Sequence, residues 1–207
     1  FPLNVVVFPG MPMPLHIFEE RYKEMINECL SEEQPFGIIL IEQGSAEGDK
    51  NVVPRRIGCT VEISQVERLD DGRMYIMTFG QNRFKLQKVD RKKRPYLTGS
   101  VEYLELNKEL EGGDDKYDRL KKLLTQYLEH LQKAGEVQFD VLQLPTEIDA
   151  LAYIAASLLN IENDKKQSLL ESNNLQKIVD YLLVVFQKEV SLLKMKPAED
   201  MGAFSMN

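Results

Sequence analysis

The chain is poor in the residues that carry most metal, redox and covalent chemistry. Two cysteines, Cys29 and Cys59, and two histidines, His16 and His130, are spread over 207 residues. The cysteines form no Cys-x-x-Cys pair and no zinc-ligand spacing, so no metal site and no cofactor are expected. Two thiols in a chain this long point to a reducing compartment, and both positions read as small apolar core residues. Tryptophan is absent. No apolar run approaches the roughly eighteen residues of a membrane span. One such run, Leu182 to Phe186, lies inside a helical pattern. No signal-peptide pattern opens the chain. The expected location is cytoplasmic, with an organelle as the alternative where a targeting segment has been removed.

Positive charge is also in deficit. The net charge is −7, whereas nucleic-acid binders carry a basic face that neutralises phosphates. Residues 1–110 hold 15 basic and 17 acidic side chains, so most of the excess acidity falls in the second half. One stretch runs the other way. Within 83–94, Arg83, Lys85, Lys88, Arg91, Lys92, Lys93 and Arg94 face only Asp90.

Catalytic signatures are missing as well. Gly44-Ser-Ala-Glu-Gly48-Asp-Lys50 departs from a phosphate loop in its glycine spacing, and Asn51 stands where Ser or Thr would follow the lysine. It reads as a solvated loop. No glycine-flanked nucleophilic serine accompanies either histidine. The expectation is a protein without catalytic activity. His16 is expected to hydrogen-bond backbone, and His130 to be exposed on a helix.

What the sequence does contain is a β-rich half followed by a helical half. Residues 3–8 are β-branched and short, which predicts a buried strand. Pro9, Gly10, Pro12 and Pro14 predict irregular chain after it. Phe18, Tyr22, Met25, Ile26, Cys29 and Leu30 make an amphipathic helical stripe. Phe36 to Ile41 predicts another buried strand, and 42–51 a loop. Ile57, Cys59, Val61 and Ile63 alternate with Thr60, Glu62 and Ser64, the period of a strand with two unlike faces. Asp70-Asp71-Gly72 predicts a hairpin turn with Arg73 to Phe79 returning. Gly80-Gln81-Asn82 predicts a second turn, with a positive φ at Gly80 and Phe84 facing the core. Arg83 to Val89 and Tyr96 to Leu106 complete a set of short strands, as in a small barrel or sandwich.

Beyond a polar, Gly112-Gly113-containing join the period changes to that of helices. Tyr117, Leu120, Leu124, Tyr127, Leu128 and Leu131 share one face, with Asp114 or Asp115 as N-cap and Gly135 as stop. A helix after Pro145 carries Ile148, Leu151, Ala152, Ala155, Leu158 and Leu159, with Thr146 and Asp149 close to a capping box. A short helix over 164–171 and a long one through Leu175, Ile178, Val179, Leu182, Phe186, Val190 and Leu193 follow. Pro197 ends the last. The expected division is 1–107 for the β domain, 108–115 for the linker, 116–195 for the helical bundle and 196–207 for a mobile tail.

Several segments occur together in one order. They are Phe1-Pro2-Leu3, Val6-Val7-Phe8-Pro9-Gly10, Pro14-Leu15-His16-Ile17-Phe18-Glu19, Arg21-Tyr22, Ile57-Gly58-Cys59-Thr60, Asp71-Gly72-Arg73, Gly80-Gln81-Asn82-Arg83-Phe84, Pro95-Tyr96, Val101-Glu102 and Lys166-Gln167-Ser168-Leu169-Leu170-Glu171. In this the chain resembles the N-terminal substrate-recognition domain of Lon proteases, in its stand-alone form, over about residues 1–195. The resemblance implies an α+β fold: a β pseudobarrel similar to the PUA domain, then a C-terminal α-helical bundle. It implies binding of unfolded or partner polypeptides, and a link to proteolysis as an adaptor to a AAA+ protease or chaperone.

Two sites follow as expectations. Met11, Met13, Ile17 and Tyr22 are candidates to line an apolar groove, because methionine adapts to varied partners, with edge-strand pairing as one mode of binding. Arg91, Lys92, Lys93 and Arg94 are the alternative, an RNA-binding loop suggested by fold analogy with PUA-like RNA binders. That alternative lacks interleaved aromatics apart from Tyr96.

Overall fold

The computed structural model describes residues 1–46, 51–133 and 144–195. The expected stop at Gly135, the tail over 196–207 and the Gly48 and Lys50 of the loop sequence lie outside them. Contacts divide the chain into two compact units. The first comprises Phe1–Leu106 with Ala156–Asn173, the second Asn107–Ala155 with Asn174–Asn207.

The first unit is built on a mixed six-stranded sheet. Its strands are β1 (Pro2–Leu3), β2 (Pro12–Ile17), β3 (Phe36–Gln43), β4 (Val53–Arg68), β5 (Met74–Asp90) and β6 (Thr98–Tyr103). The order is β1-β3-β4-β5-β2, and β6 pairs with β5 outside that order. Only the β1–β3 pair is parallel. No pairing among the described strands closes the sheet. Helix α1 (Glu20–Glu32) packs Tyr22, Met25 and Ile26 into a core with Val7, Leu15, Ile17, Phe36, Ile38, Cys59, Val61, Met74 and Ile76. Each large side chain buried there contributes roughly 1.5–3 kcal/mol.

The turn at Leu69–Arg73 forms as the Asp-Asp-Gly sequence predicts. Gly72 sits at φ +80 and donates to Leu69 O at 2.9 Å, and Leu69 N donates to Arg73 O at 2.9 Å. Three local expectations fail, each for a physical reason. Val6, Val7 and Phe8 are buried, but regular pairing stops at Leu3. The segment turns inward and instead offers Asn4 O to Asn163 Nδ2 at 2.8 Å. Pro12 and Pro14 do not break structure but lie in β2. Gly80 N donates to Met11 O, so odd-numbered residues of β2 face β5, and both prolines point their missing N–H at the open edge, where no ladder bond is lost.

Gly80 makes no turn. It lies within β5 and is absent from the glycines with positive φ. A Cβ there would stand 2.0 Å from Phe8 O, so the position requires close backbone approach. One 17-residue strand therefore replaces two short ones, with its register shifting against β4 at Cys59/Val61. The N-terminal part of β5 pairs with β2, and the C-terminal part pairs with β6.

Helix α4 (Asn163–Glu171) belongs to this unit. Gln167 Nε2 donates to Ile57 O at 2.9 Å, and Arg55 bonds Asp164 at 2.8 Å. Arg83, only 3% exposed, extends the attachment. Its Nη1 donates to Leu170 O at 2.9 Å and to Ser172 O, and its Nη2 donates to Glu105 O at 3.0 Å.

In the second unit α2 (Gly113–Lys133) pairs with α5 (Leu175–Met195). Tyr127 meets Phe186 edge-on at 5.3 Å, and Lys116 bonds Asp180 at 2.7 Å. Helix α3 (Ile148–Leu158) crosses the division between the units in sequence. Its Asp149 bonds Lys108 at 2.6 Å.

Candidate functional site

The first unit carries a cleft of about 550 Å³ bounded by α1, β3, the C-terminal part of β5 and β6. Its floor is apolar. Phe36 and Ile39 come from β3, Phe84 and Leu86 from β5, Met25 from α1. The Phe84 ring fills space left by two glycines. A Cβ at Gly37 would lie 2.9 Å from its Cζ, and one at Gly58 would lie 2.7 Å away. The wall is β6, which alternates as a strand must. Val101 and Tyr103 turn to the cleft while 42% and 58% exposed, and Glu102 pairs outside it with Gln87.

The edge of that wall is open. Leu104 N donates to Arg83 O at 2.9 Å. With Tyr103 opposite Phe84 and Val101 opposite Leu86, the main-chain N–H and C=O groups of Val101 and Tyr103 face away from β5. Among the described residues no strand pairs with β6 on that side. A second edge, that of β2, is blunted by Pro12 and Pro14, the usual protection of an exposed edge.

The rim is charged. Glu28 on α1 accepts Arg94 Nη1 at 2.7 Å and the Tyr96 hydroxyl. Together these latch the β5–β6 loop to the helix. Desolvation, followed by the hydrogen bond to Glu28, pushes the Tyr96 phenol up to about 12. Glu32 and Lys93 also line the rim. Cys29 borders the cleft, and burial, with Glu28 and Glu32 nearby, raises its thiol. Cys59 is fully buried, and desolvation pushes its thiol up to about 12.

The sequence candidates are placed otherwise. Ile17 and Tyr22 are core residues, 1% and 4% exposed, and Met11 and Met13 pack half-buried against the same cluster. None of the four lines the cleft. The basic run is a latched loop. Asp90 Oδ1 accepts the N–H groups of Lys92 and Lys93 at 2.8 and 3.1 Å, which holds its carboxyl below the usual range. Arg91 donates to Val52 O at 2.8 Å, and Arg94 is held by Glu28. His16 is exposed and stacks on Tyr75 at 4.6 Å, in place of the expected backbone hydrogen bond. His130 is half-buried on α2. Of the cleft residues, Phe84 is read from the sequence as facing the core, and it is 4% exposed, while Val101 and Tyr103 are not read as a site. The alternation of Val101 and Tyr103 marks a strand, but only the pairing of β6 with β5 shows that their face lines the cleft.

Among the described residues no group of three His, Cys, Asp or Glu could hold a metal, and no helix is long and apolar enough to cross a membrane. The arrangement provides an apolar trough, an open strand edge and a rim of both charges.

Residues 1–188 match the ATP-dependent protease La (LON) substrate-binding domain. Lon protease 1 of Hydrogenovibrio crunogenus is 24% identical over 196 residues, covering 92% of this chain and 23% of that protein. The Lon protease of Haemophilus influenzae is 26% identical over 200 residues, covering 93% and 24%. The chain thus spans about a quarter of the length of these relatives. Among solved structures, the Lon N-terminal domain protein from Xanthomonas campestris has a TM-score of 0.66 at 25% identity, covering 89% of this chain and 95% of that one. The N-terminal domain of the Mycobacterium avium complex Lon protease has a TM-score of 0.62 at 20% identity, covering 92% and 96%.

Proposed function

This chain belongs to the substrate-binding domain family of ATP-dependent Lon proteases, and from that premise we propose that it is a non-catalytic recognition module that takes up an extended, apolar stretch of unfolded polypeptide in the α1–β6 cleft. The observation that carries this reading is the pairing of an apolar trough with an open strand edge. An incoming segment adds to β6 through the main-chain groups of Val101 and Tyr103, and its alternate side chains drop towards Phe36 and Phe84. The cleft volume falls within the roughly 300–1,000 Å³ of ligand pockets, enough for a few side chains and too little for a folded domain. The open side of the sheet is then the gap of a PUA-like pseudobarrel. Main-chain bonding explains how a module accepts many sequences, since every client has the same backbone. Delivery of clients to a AAA+ protease or chaperone is the adaptor role that follows.

RNA binding through Arg91–Arg94 has less support. Two of its four cations are committed to Val52 O and Glu28, and the net charge is −7.

Fluorescence anisotropy with a labelled, permanently unfolded protein tests the cleft reading. Val101→Glu places a carboxylate in the trough, and Tyr103→Ala removes its most exposed ring. Both sites tolerate change because they are solvent-accessible. The expected loss is about tenfold or more in affinity for Val101→Glu, or about 1.4 kcal/mol. Unchanged affinity in both variants would overturn the assignment of the cleft.

A further inference from the structure

A second surface lies on the outer face of the β2–β5 pair, away from the cleft. Register places Pro12 opposite Phe79, Pro14 opposite Met77 and His16 opposite Tyr75. These are the pairs that do not exchange main-chain bonds, so their side chains come closest. Tyr75 and Phe79 are 48% and 40% exposed, and Phe18 continues the row beside His16 at 46%. An apolar ladder of this length on a water-facing strand pair needs an explanation beyond core packing.

The neighbouring strand supplies one. On β4, Glu62 stands opposite Phe79 and Glu67 opposite Tyr75. They flank the ladder four β5 residues apart, about 13 Å. Of the nearby cations, Arg73 is held by Asp71 at 2.7 Å and Lys23 by Glu20 at 2.8 Å, while Arg68 turns to Asn27 Oδ1 at 2.8 Å and Met74 Sδ at 3.4 Å. Glu62 receives only the neutral Gln81 amide at 3.2 Å. The face is thus apolar and aromatic along its length and negative at both ends of one side. Strand addition is disfavoured here, because Pro12 and Pro14 remove donors from the adjoining edge. A helix meets the geometry: cations at i and i+8 stand about 12 Å apart along its axis.

We propose that this face docks a cationic amphipathic helical segment, its apolar side on the Tyr75–Met77–Phe79 ladder and its cations on Glu62 and Glu67. The surface shares no residue with the cleft, so the module engages a client and a basic partner segment at once.

The test uses the protein with methionine methyl groups labelled for NMR, since Met77 lies on this face and Met25 in the cleft. The probe is a 16-residue Leu/Lys amphipathic helix, and the control has Glu in place of every Lys. The expected result is a saturable shift at Met77 with the Lys peptide, a stationary Met25 and no response to the Glu peptide. Glu62→Lys with Glu67→Lys weakens the Lys peptide about tenfold or more and brings the Glu peptide into contact. That gain of binding separates lost complementarity from lost folding. A stationary Met77, equal response to both peptides, or a shift confined to Met25 would overturn the proposal. The last outcome would leave the cleft reading intact.

Discussion

Replacing Arg83 with methionine tests why α4 travels with the sheet. The guanidinium holds the carbonyls of Leu170, Ser172 and Glu105, at the end of α4 and on the chain leaving β6. A hydrogen bond to a charged donor contributes about 1.5–3 kcal/mol. Three such bonds overstate the loss, because methionine needs no charge desolvated and water reaches the carbonyl of Glu105, an exposed residue. Leu170 is 1% exposed, and its orphaned carbonyl carries most of the cost. The expected destabilisation is about 2–4 kcal/mol. At an m-value of about 2 kcal/mol/M this lowers the urea midpoint by roughly 1–2 M. Arg83→Lys retains the charge without the planar fork and falls between. Hydrogen exchange adds the location: amides of 163–171 lose protection first. A change below about 0.5 kcal/mol, typical of an unremarkable surface site, would refute the claim that Arg83 fastens this helix.

Gly80→Ala forces a methyl to 2.0 Å from Phe8 O, and thermal denaturation should show a loss of more than about 3 kcal/mol. Gly72→Ala, at φ +80 with only a lysine tip 3.7 Å away, should cost about 1 kcal/mol. Equal effects would contradict the distinction between close approach and turn geometry. Tyr96 should ionise above the ordinary tyrosine value. Its folded pKa is raised to about 12 from 10, so the latch is fully present below pH 10 and is lost as pH rises through 12. Absorbance near 295 nm should show a titration step that Tyr96→Phe removes. A step at the ordinary tyrosine value would contradict the bond to Glu28.

The sequence reveals elements better than it reveals concavity. Helical stripes such as Ile178, Leu182 and Phe186 appear where periodicity places them, because burial of one face imposes the period. The Asp71-Gly72 turn is equally legible. Gly80 is not, since a glycine chosen for a positive φ and one chosen for close approach look the same in sequence. Pro12 and Pro14 mislead for a related reason: proline breaks a central strand and suits an edge, and edge status is a tertiary fact. The same limit hides the site. Ile17 and Tyr22 have the composition of a groove but lie in the core. Val101 and Tyr103 become a wall only because β5 changes partner from β2 to β6 along its length. Arg91 and Arg94 read as free charge until Val52 O and Glu28 are seen to hold them.

Amide hydrogen exchange with and without a saturating unfolded polypeptide reaches the central claim most directly. Strand addition to β6 predicts new protection at the Val101 and Tyr103 amides, whose N–H groups face the open edge, with little change at Glu102 and Leu104, which already face β5. Protection absent from Val101 and Tyr103 while the polypeptide is bound would contradict recognition through this cleft.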